Sequence, residues 1–385
     1  MSIHAHFHRT IEEIDPASWD RLVRDNNPFL KHAFHAALER NGCVGRQYGW
    51  QPNHLVLYQN QRIVGLSPLY IKQNSYGEFV FDHVWADAYG RSGLAYYPKL
   101  ICAVPYTPAT GERLLVDSSI DRALAVRTLI DASLEWVREN RHSSMHWLFT
   151  TREEGEELTS RGMMERLGVQ FHWQNQGYDD FAAFLDRLTA KRRKNIRRER
   201  RKVAEQGFRF RVLHGSEVTE QEWRQFSEFY NKTFEERFSL ATLNFGFFQE
   251  IGRTLGDQVI LILAYQGQHC QAGALLYRSD KALYGRHWGG VSEFDSLHFE
   301  TCYYQGIEYA ISHRLQLFEP GAQGEHKIWR GFLPTLTRSH HWIADSRFRS
   351  AIDDFLWRER PAIEDYRKNL AESSPYRSGD SDVTY

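Results

Sequence analysis

The chain has 385 residues, of which 42% are hydrophobic and 25% charged, with a formal charge of −1. That length suits two or more domains with substantial cores, and the balance of residues is that of an ordinary globular protein rather than a polybasic nucleic-acid binder or an acidic tail protein. Four cysteines (Cys43, Cys102, Cys270, Cys302), far apart and without a Cys-x-x-Cys pair, fit reduced thiols better than a disulfide framework or a zinc knuckle.

The segment from Met1 to Asp15 is polar and His-rich and lacks the apolar core of a signal peptide. The longest apolar run, Val259 to Tyr265, is too short to cross a bilayer, so the expectation is a cytoplasmic protein without integral membrane association. Ile3, Ala5 and Phe7 alternate with His4, His6 and His8, which predicts a first strand. Asp15-Pro16 caps a helix through Val23, and a second helix, Leu30 to Arg40, stops at Gly42. His54 to Tyr58 and Arg62 to Ile71 read as a strand pair, with Phe79 to Trp85 as a third strand. A long helix from Ser119 to Glu139 carries Ala123, Val126, Ile130, Leu134 and Val137 at helical spacing. Met145 to Phe149 is a strand, Glu153 to Leu167 a helix and Val169 to Trp173 a strand. The second half opens with a helix from Tyr178 to Gln206, followed by a strand from Phe208 to Leu213. Helices over Glu220 to Arg237 and Asn244 to Leu255 come next. Three strands follow (Val259 to Tyr265, Cys270 to Arg278, Ala282 to Trp288), then a helix from Ser296 to His313. Strands at Leu315 to Glu319 and Arg338 to Ile343 precede a closing helix, Arg347 to Leu370, and a polar tail after Ser373 that reads as disordered.

The two halves echo each other. Tyr58-Gln59-Asn60-Gln61 leads to Leu69-Tyr70, and Tyr265-Gln266-Gly267-Gln268 leads to Leu276-Tyr277 at the same offset. Each third strand carries His beside Trp, in His83-Val84-Trp85 and in His287-Trp288. The order of elements in both halves points to duplication of one α+β unit, with a period far longer than that of a solenoid.

This order resembles the FemAB-like, peptidoglycan-bridge branch of the GNAT acyltransferase superfamily. Two segments carry the resemblance: Phe81-Asp82-His83-Val84-Trp85-Ala86-Asp87-Ala88-Tyr89-Gly90 and Phe318-Glu319-Pro320-Gly321-Ala322-Gln323-Gly324-Glu325-His326-Lys327. The run from Lys191 to Arg198 is similar to that family's basic helix, and Lys327 with Gly331-Phe332 to its late Lys-x-Gly-Phe element. The resemblance spans about residues 15 to 370 and implies two tandem GNAT-like domains, each a mixed, mostly antiparallel sheet flanked by helices. They would occupy residues 1–175 and 176–372, with 373–385 as tail, and flank a cleft. It further implies transfer of an acyl or aminoacyl group from aminoacyl-tRNA or acyl-CoA, as a co-substrate rather than a tightly bound cofactor, to an amine of a small molecule or of a cell-wall precursor or peptide. The alternative is a duplicated GNAT fold without chemistry that binds tRNA or a cell-wall peptide. The Gly-rich loop with which GNAT enzymes grip CoA is not matched, because Gly289-Gly290-Val291-Ser292-Glu293 has no basic residue and adds an acid.

Direct transfer to an amine needs a base, a polarised carbonyl and alignment, and no covalent nucleophile; Gly-x-Ser-x-Gly, His-Glu-x-x-His and a P-loop are all absent. The densest polar constellation is Glu319, Gln323, Glu325, His326, Lys327 and Arg330, on a loop with two glycines that can approach a ligand closely. Glu325 or His326 is a candidate base, and Lys327 a candidate for an oxyanion or phosphate; a solvated polar turn is the plain alternative. His298, Thr301, Gln305 and Glu308 are spaced to share one helix face, with Tyr304 as a candidate proton donor or a core tyrosine. Tyr284, Arg286 and His287 sit on the third strand, His287 being either catalytic or structural. In the first half Asp82, His83, Asp87, Tyr89 and Arg91 form a candidate acceptor-side group whose spacing matches no common metal site. The run Lys191 to Lys202 holds nine basic residues and one acid, Glu199. Without it the remaining 39 basic residues face 48 acidic ones, so the positive charge is local. Lys191, Arg192, Arg193, Lys194, Arg197 and Arg198 are thus candidates for phosphate contact, with tRNA the natural partner, against a merely solvated helix face.

Overall fold

The computed structural model describes residues 3–377. The chain forms two compact units. One holds the residues up to Gly168 together with Leu336–Asp365, and the other holds Val169–Thr335 with the residues from Tyr366 onward. This differs from the contiguous halves expected, 1–175 and 176–372: the division falls inside a strand, and thirty residues near the C-terminus return to the first unit.

The first unit contains β1 (His4–His8), α1 (Pro16–Asp20), α2 (His32–Arg40), β2 (Trp50–Pro52), β3 (His54–Gln59), β4 (Arg62–Ser67) and β5 (Leu69–Lys72). It continues with α3 (His83–Arg91), β6 (Lys99–Cys102), β7 (Leu115–Val116), α4 (Arg122–Glu139), β8 (Ser144–Leu148), α5 (Arg152–Ser160) and the start of β9 (Met164–Gln174). Local chemistry sets the helix starts. Asp15 accepts the Ser18 N–H at 2.8 Å ahead of Pro16, and Asp121 accepts the amides of Ala123 and Leu124 to open α4. Along α4, Val126, Leu129, Ile130, Leu134 and Val137 are buried against Leu55, Leu57, Leu100 and Trp147 of the strands. One sheet has the order β1-β3-β4-β7. In the other, β6 runs parallel to β8 (Leu100 opposite Met145) and antiparallel to β5.

The second unit continues from β9 through α6 (Phe181–Arg187), α7 (Ala190–Glu205), β10 (Phe208–His214), α8 (Glu220–Glu235), α9 (Phe245–Leu255), β11 (Val259–Gln266), β12 (His269–Arg278) and β13 (Ala282–Gly290). A helix over residues 297–312, α10, then leads to β14 (Leu317–Glu319), a 3-10 turn (Glu325–Arg330) and β15 (Leu333–Ile343). The last element is α11 (Ser346–Glu372), and both β15 and α11 are shared between the units in sequence. The sheet order is β10-β11-β12-β13-β14-β9, antiparallel except for β13 beside β14. Its core is aromatic-rich, with Phe171, Trp173, Phe184, Tyr304, Phe318 and Phe332.

The two units share one plan. In each, a first strand pairs antiparallel with a hairpin (β1 on β3-β4, β10 on β11-β12), and a later strand takes a parallel partner after a helix (β6 with β8, β13 with β14). The hairpin echo extends to register. The ladder slips between Leu57 and Tyr58 in one hairpin and between Ala264 and Tyr265 in the other, at the two tyrosines that begin the repeat.

Several expectations are corrected. Phe79 to Trp85 is not a strand: His83–Arg91 is helical, because Trp85 and Tyr89, four apart, bury together on one helix face. The third strand of that unit is β6, so the first half has no His-Trp pair there. The helix expected from Tyr178 to Gln206 is broken at Leu188-Thr189, where both residues are extended. The helix expected over Glu153 to Leu167 stops at Ser160, and β9 starts already at Met164. The tail is ordered through its first residues. The Thr189 N–H donates to Pro375 O at 2.8 Å and the Tyr376 hydroxyl to Gly331 O at 2.8 Å; the remainder of the expected tail lies outside the described residues.

Candidate active site

The parallel pairing of β13 with β14 is short. It covers only Ala282 to Tyr284, opposite Leu317 to Glu319, and β13 then runs on to Gly290 without a strand partner on that side among the described residues. Two features open this edge. A slip in the β12–β13 ladder leaves Arg286 as an extra residue between Gly285 and His287, and β14 ends where the chain turns away at Pro320. The turn is tight: a Cβ on Gly285 would lie 3.3 Å from Pro320 Cα. Gly321 (φ 99°) and Gly324 (φ 115°) then hold left-handed conformations that other residues adopt only with strain. A parallel strand pair whose members splay apart exposes backbone N–H and C=O groups to any ligand that enters.

The 3-10 turn Glu325–Arg330 follows this loop directly. Lys327 is buried, and its ammonium donates to Gly321 O at 2.7 Å. Burial, with Arg286 nearby, pulls its pKa down to about 7. His326 shares a 3.0 Å hydrogen bond with the Tyr303 hydroxyl. Its pKa is lowered by burial and by the charges of Arg330 and Lys327, which favours the neutral ring. His298, 5.3 Å from the Tyr303 ring and 6.5 Å from His326, is lowered to about 4 by burial. Arg330 is buried. It donates through Nη2 to Glu199 Oε1 at 2.7 Å and through Nη1 to His326 O at 2.8 Å, and its guanidinium stacks 3.4 Å from the Phe299 ring. The Tyr304 hydroxyl also donates to Glu199, and its pKa is raised far above the usual value by burial. Glu199, the single acid of the basic run, is therefore the pin that joins α7 to the 3-10 turn and to α10.

Other expected residues fall elsewhere. Glu325 is exposed and accepts a hydrogen bond from Tyr366 at 2.7 Å, and Gln323 is exposed on the loop. His287 packs on Tyr230 and Phe248, among the α8 and α9 aromatics rather than with His326. Tyr284 is buried in register with Glu319, and Arg286 is half-buried one step beyond, at the opening. His298, Thr301, Gln305 and Glu308 do not share a face. A π turn over Glu300–Tyr304 adds a residue to the helix and shifts its phase, so Thr301 is buried while Glu308 reaches Arg200. Of the basic residues, Lys191, Lys194, Arg197 and Arg198 face solvent, whereas Arg193 pairs with Asp186 at 3.5 Å and Arg192 stacks on Trp329.

In the first unit, Asp82 is buried and is held by Ser75 (2.5 Å), Tyr96 (2.6 Å) and Lys99, while His83, Asp87 and Arg91 are exposed; the five do not form one group. Tyr89 packs against Phe348 and Tyr96. Burial raises the Asp82 carboxyl, but the Lys99 ammonium outweighs it and keeps the group ionised. The parallel pair β6–β8 offers no counterpart of the open edge, since buried Arg113 closes over its end with bonds to Leu148 O and Ala109 O at 2.8 Å. Among the described residues no group of His, Cys, Asp and Glu is arranged to hold a metal ion, and no helix is long and apolar enough to cross a membrane.

Sequence reasoning missed Tyr303, Phe299 and the pairing of Glu199 with Arg330. Only Glu199 left a signal, as the one acid among nine bases.

Two tandem GNAT-like domains, the second with a splayed parallel strand pair, define the class of the molecule. The chain belongs to the FemAB-like family, described by peptidoglycan biosynthesis and recognition, whose model matches residues 10–378. No curated protein matches it. Among solved structures it is similar to FemX at 12% identity, covering 92% of this chain and all of that one, with a TM-score of 0.52. It is also similar to the C-terminal domain of an Agrobacterium fabrum protein named as a lysylphosphatidylglycerol synthetase, at 10% identity, 90% and 97% coverage and a TM-score of 0.52. A tandem GNAT protein from the clavulanic acid pathway is a third, at 12% identity, 89% and 98% coverage and a TM-score of 0.45.

Proposed function

We propose that this chain transfers an aminoacyl group from aminoacyl-tRNA to an amine of a cell-wall precursor peptide, with the second unit as the catalytic one. The observation that carries this reading is the open edge of β13 beyond Tyr284, with Lys327 and His326 set at its mouth. The family description supports a cell-wall acceptor. The exposed cations of α7, together with Glu293 in the loop where a CoA pyrophosphate would be gripped, support an RNA donor over acyl-CoA.

In the proposed reaction the acceptor nitrogen attacks the ester carbonyl. The Lys327 ammonium and backbone N–H groups of the splay meet the negative charge that develops on oxygen. When His326 Nε2–H donates to Tyr303, Nδ1 presents its lone pair to the amine and takes its proton. The C–O bond to the ribose breaks, the ribose oxygen leaves as a hydroxyl after regaining that proton, and an amide remains. Arg330, Glu199 and Tyr304 position the turn.

The test is a transfer assay with aminoacyl-tRNA, acetyl-CoA and a precursor peptide. We expect turnover with the tRNA donor, and H326N and K327M to lower it about 100-fold or more. Turnover with acetyl-CoA alone overturns the donor. Binding of tRNA and peptide without turnover replaces the enzyme with a binding module.

A further inference from the structure

Helices α2, α3, α4, α5 and α10 end in one way: a residue with positive φ follows the last turn, and two amides close back on earlier carbonyls. That residue is Gly42, Gly93, Arg141, Gly162 or Arg314, either without a side chain or charged and at home in water. Helix α8 ends in the same way, with Phe238 N–H donating to Glu235 O at 3.0 Å and Ser239 N–H to Phe234 O at 2.9 Å. Its left-handed residue, however, is Phe238 (φ 50°). The Phe238 ring is fully exposed at 101%, and Leu240 just beyond it is 51% exposed. A strained backbone and an aromatic ring in water are both costs, and the packing of the fold gives no reason for either. This end of α8 borders the opening beside β13. Thr233 Oγ1 lies 3.1 Å from Trp288 O, and a Cβ on Gly289 would collide with Phe229 O, so the helix is pressed onto β13 just past Arg286. The Trp288 ring lies 5.3 Å from His298, and His298 lies 6.5 Å from His326. Arg237, next to Phe238, is close enough for its charge to contribute to the lowered His298 pKa.

We propose that Phe238, with Leu240 beside it, forms an apolar lip at the mouth of this opening that the bound substrates complete, and that the lip sets how the donor ester divides between amine and water. The inference rests on the transfer reading and adds to it the element that keeps water from the carbonyl. An aminoacyl ester reacts with either nucleophile. In transfer the ester C–O bond breaks as a C–N bond forms. In hydrolysis the oxygen of water takes the place of the nitrogen, and the products are a free amino acid and the same ribose hydroxyl. Excluding water is therefore a condition of productive transfer, and an apolar ring at the rim supplies it once the mouth is filled. The acids Glu235 and Glu236 just before the ring argue against an anionic lipid surface as what covers it.

The experiment incubates the full chain with aminoacyl-tRNA and a precursor peptide, and counts amide product and free amino acid above the enzyme-free background. We expect F238A to raise the ratio of hydrolysis to transfer about tenfold, and F238L, which keeps an apolar side chain, to raise it far less. F238G should show the raised ratio and yet melt about 2 °C higher than the wild type, because glycine relieves the left-handed strain. An unchanged ratio in F238A overturns the inference and leaves the transfer reading intact. So does an equal fall of transfer and hydrolysis, or a lower melting temperature for F238G, either of which would make the ring a part of the packing. Loss in F238A of binding to anionic phospholipid vesicles, or of a dimer on gel filtration, would assign the ring to another surface and overturns it too. A wild-type chain that forms no amide from aminoacyl-tRNA overturns the transfer reading itself.

Discussion

Lys327 has lost most of its hydration, yet among the described residues its ammonium is held only by one backbone carbonyl, and it faces the charge of Arg286. A lysine so placed is an acid near neutrality. Between pH 7 and the ordinary lysine value of 10.5 the folded chain therefore binds fewer protons than the unfolded one, and stability rises with pH across that window. Lys72, also pulled to about 7 by burial, adds the same sign from the first unit. K327M should remove its own share of this slope, on the order of 1 kcal/mol per pH unit, while leaving that of Lys72. Thermal melts of both proteins at pH 7, 8 and 9 read the difference, and parallel curves would show that the Lys327 ammonium is not desolvated. The same group sets a limit on chemistry: below pH 7 Lys327 carries its charge, whereas burial and the charges of Arg330 and Lys327 lower the His326 pKa and favour its neutral ring.

Regular elements follow from short-range rules, which explains what was legible in the chain. The hairpins were readable from alternation and turn chemistry, and the long amphipathic α4 from its spacing and its Asp121 cap. What misled was a stretch such as Phe79 to Trp85, whose β-rich composition is overridden by the burial of Trp85 with Tyr89. The phase of α10 was equally hidden, since a π turn at Glu300–Tyr304 has no composition of its own. The site was legible only as a loop. Its histidine, lysine and arginine could be named, but their partners Glu199 and Tyr303 lie 131 and 23 residues away along the chain and meet them only in the fold. The hairpin turns offer a test at this scale. Asn60 and Gln61 both have positive φ (51° and 64°), as in a type I′ turn, whereas Gly267 alone does so in the second hairpin. Gln61→Gly should stabilise the chain by up to about 1 kcal/mol and Gly267→Ala should destabilise it by a similar amount, both read by denaturant unfolding. Opposite signs would mean that the two turns are not built as these φ angles imply.

At the scale of the molecule, duplication did not leave two contiguous halves. The first unit is completed by residues 336–365, and what they supply is structural. Ser339 to Ile343 pair with Leu148 to Ser144, so β8 would lose a neighbour without them. His341 Nδ1 meets His146 Nδ1 at 2.6 Å, and Ile343, Ile352 and Leu356 bury Trp85, Tyr89 and Tyr96. Residues 1–168 alone would therefore expose an unpaired strand and an aromatic cluster, and we expect that fragment to aggregate. The remedy is visible in the fold, because a Cβ built on Gly168 would lie 2.8 Å from Thr337 Oγ1, which puts the two chain ends of this unit side by side. A chain of residues 1–168, a short Gly/Ser linker and residues 336–365 should fold on its own, with a cooperative melt and a monomeric elution volume. An insoluble product from this chain, or a soluble and cooperative 1–168 fragment, would mean that the returning strand and helix are not part of the first unit's core.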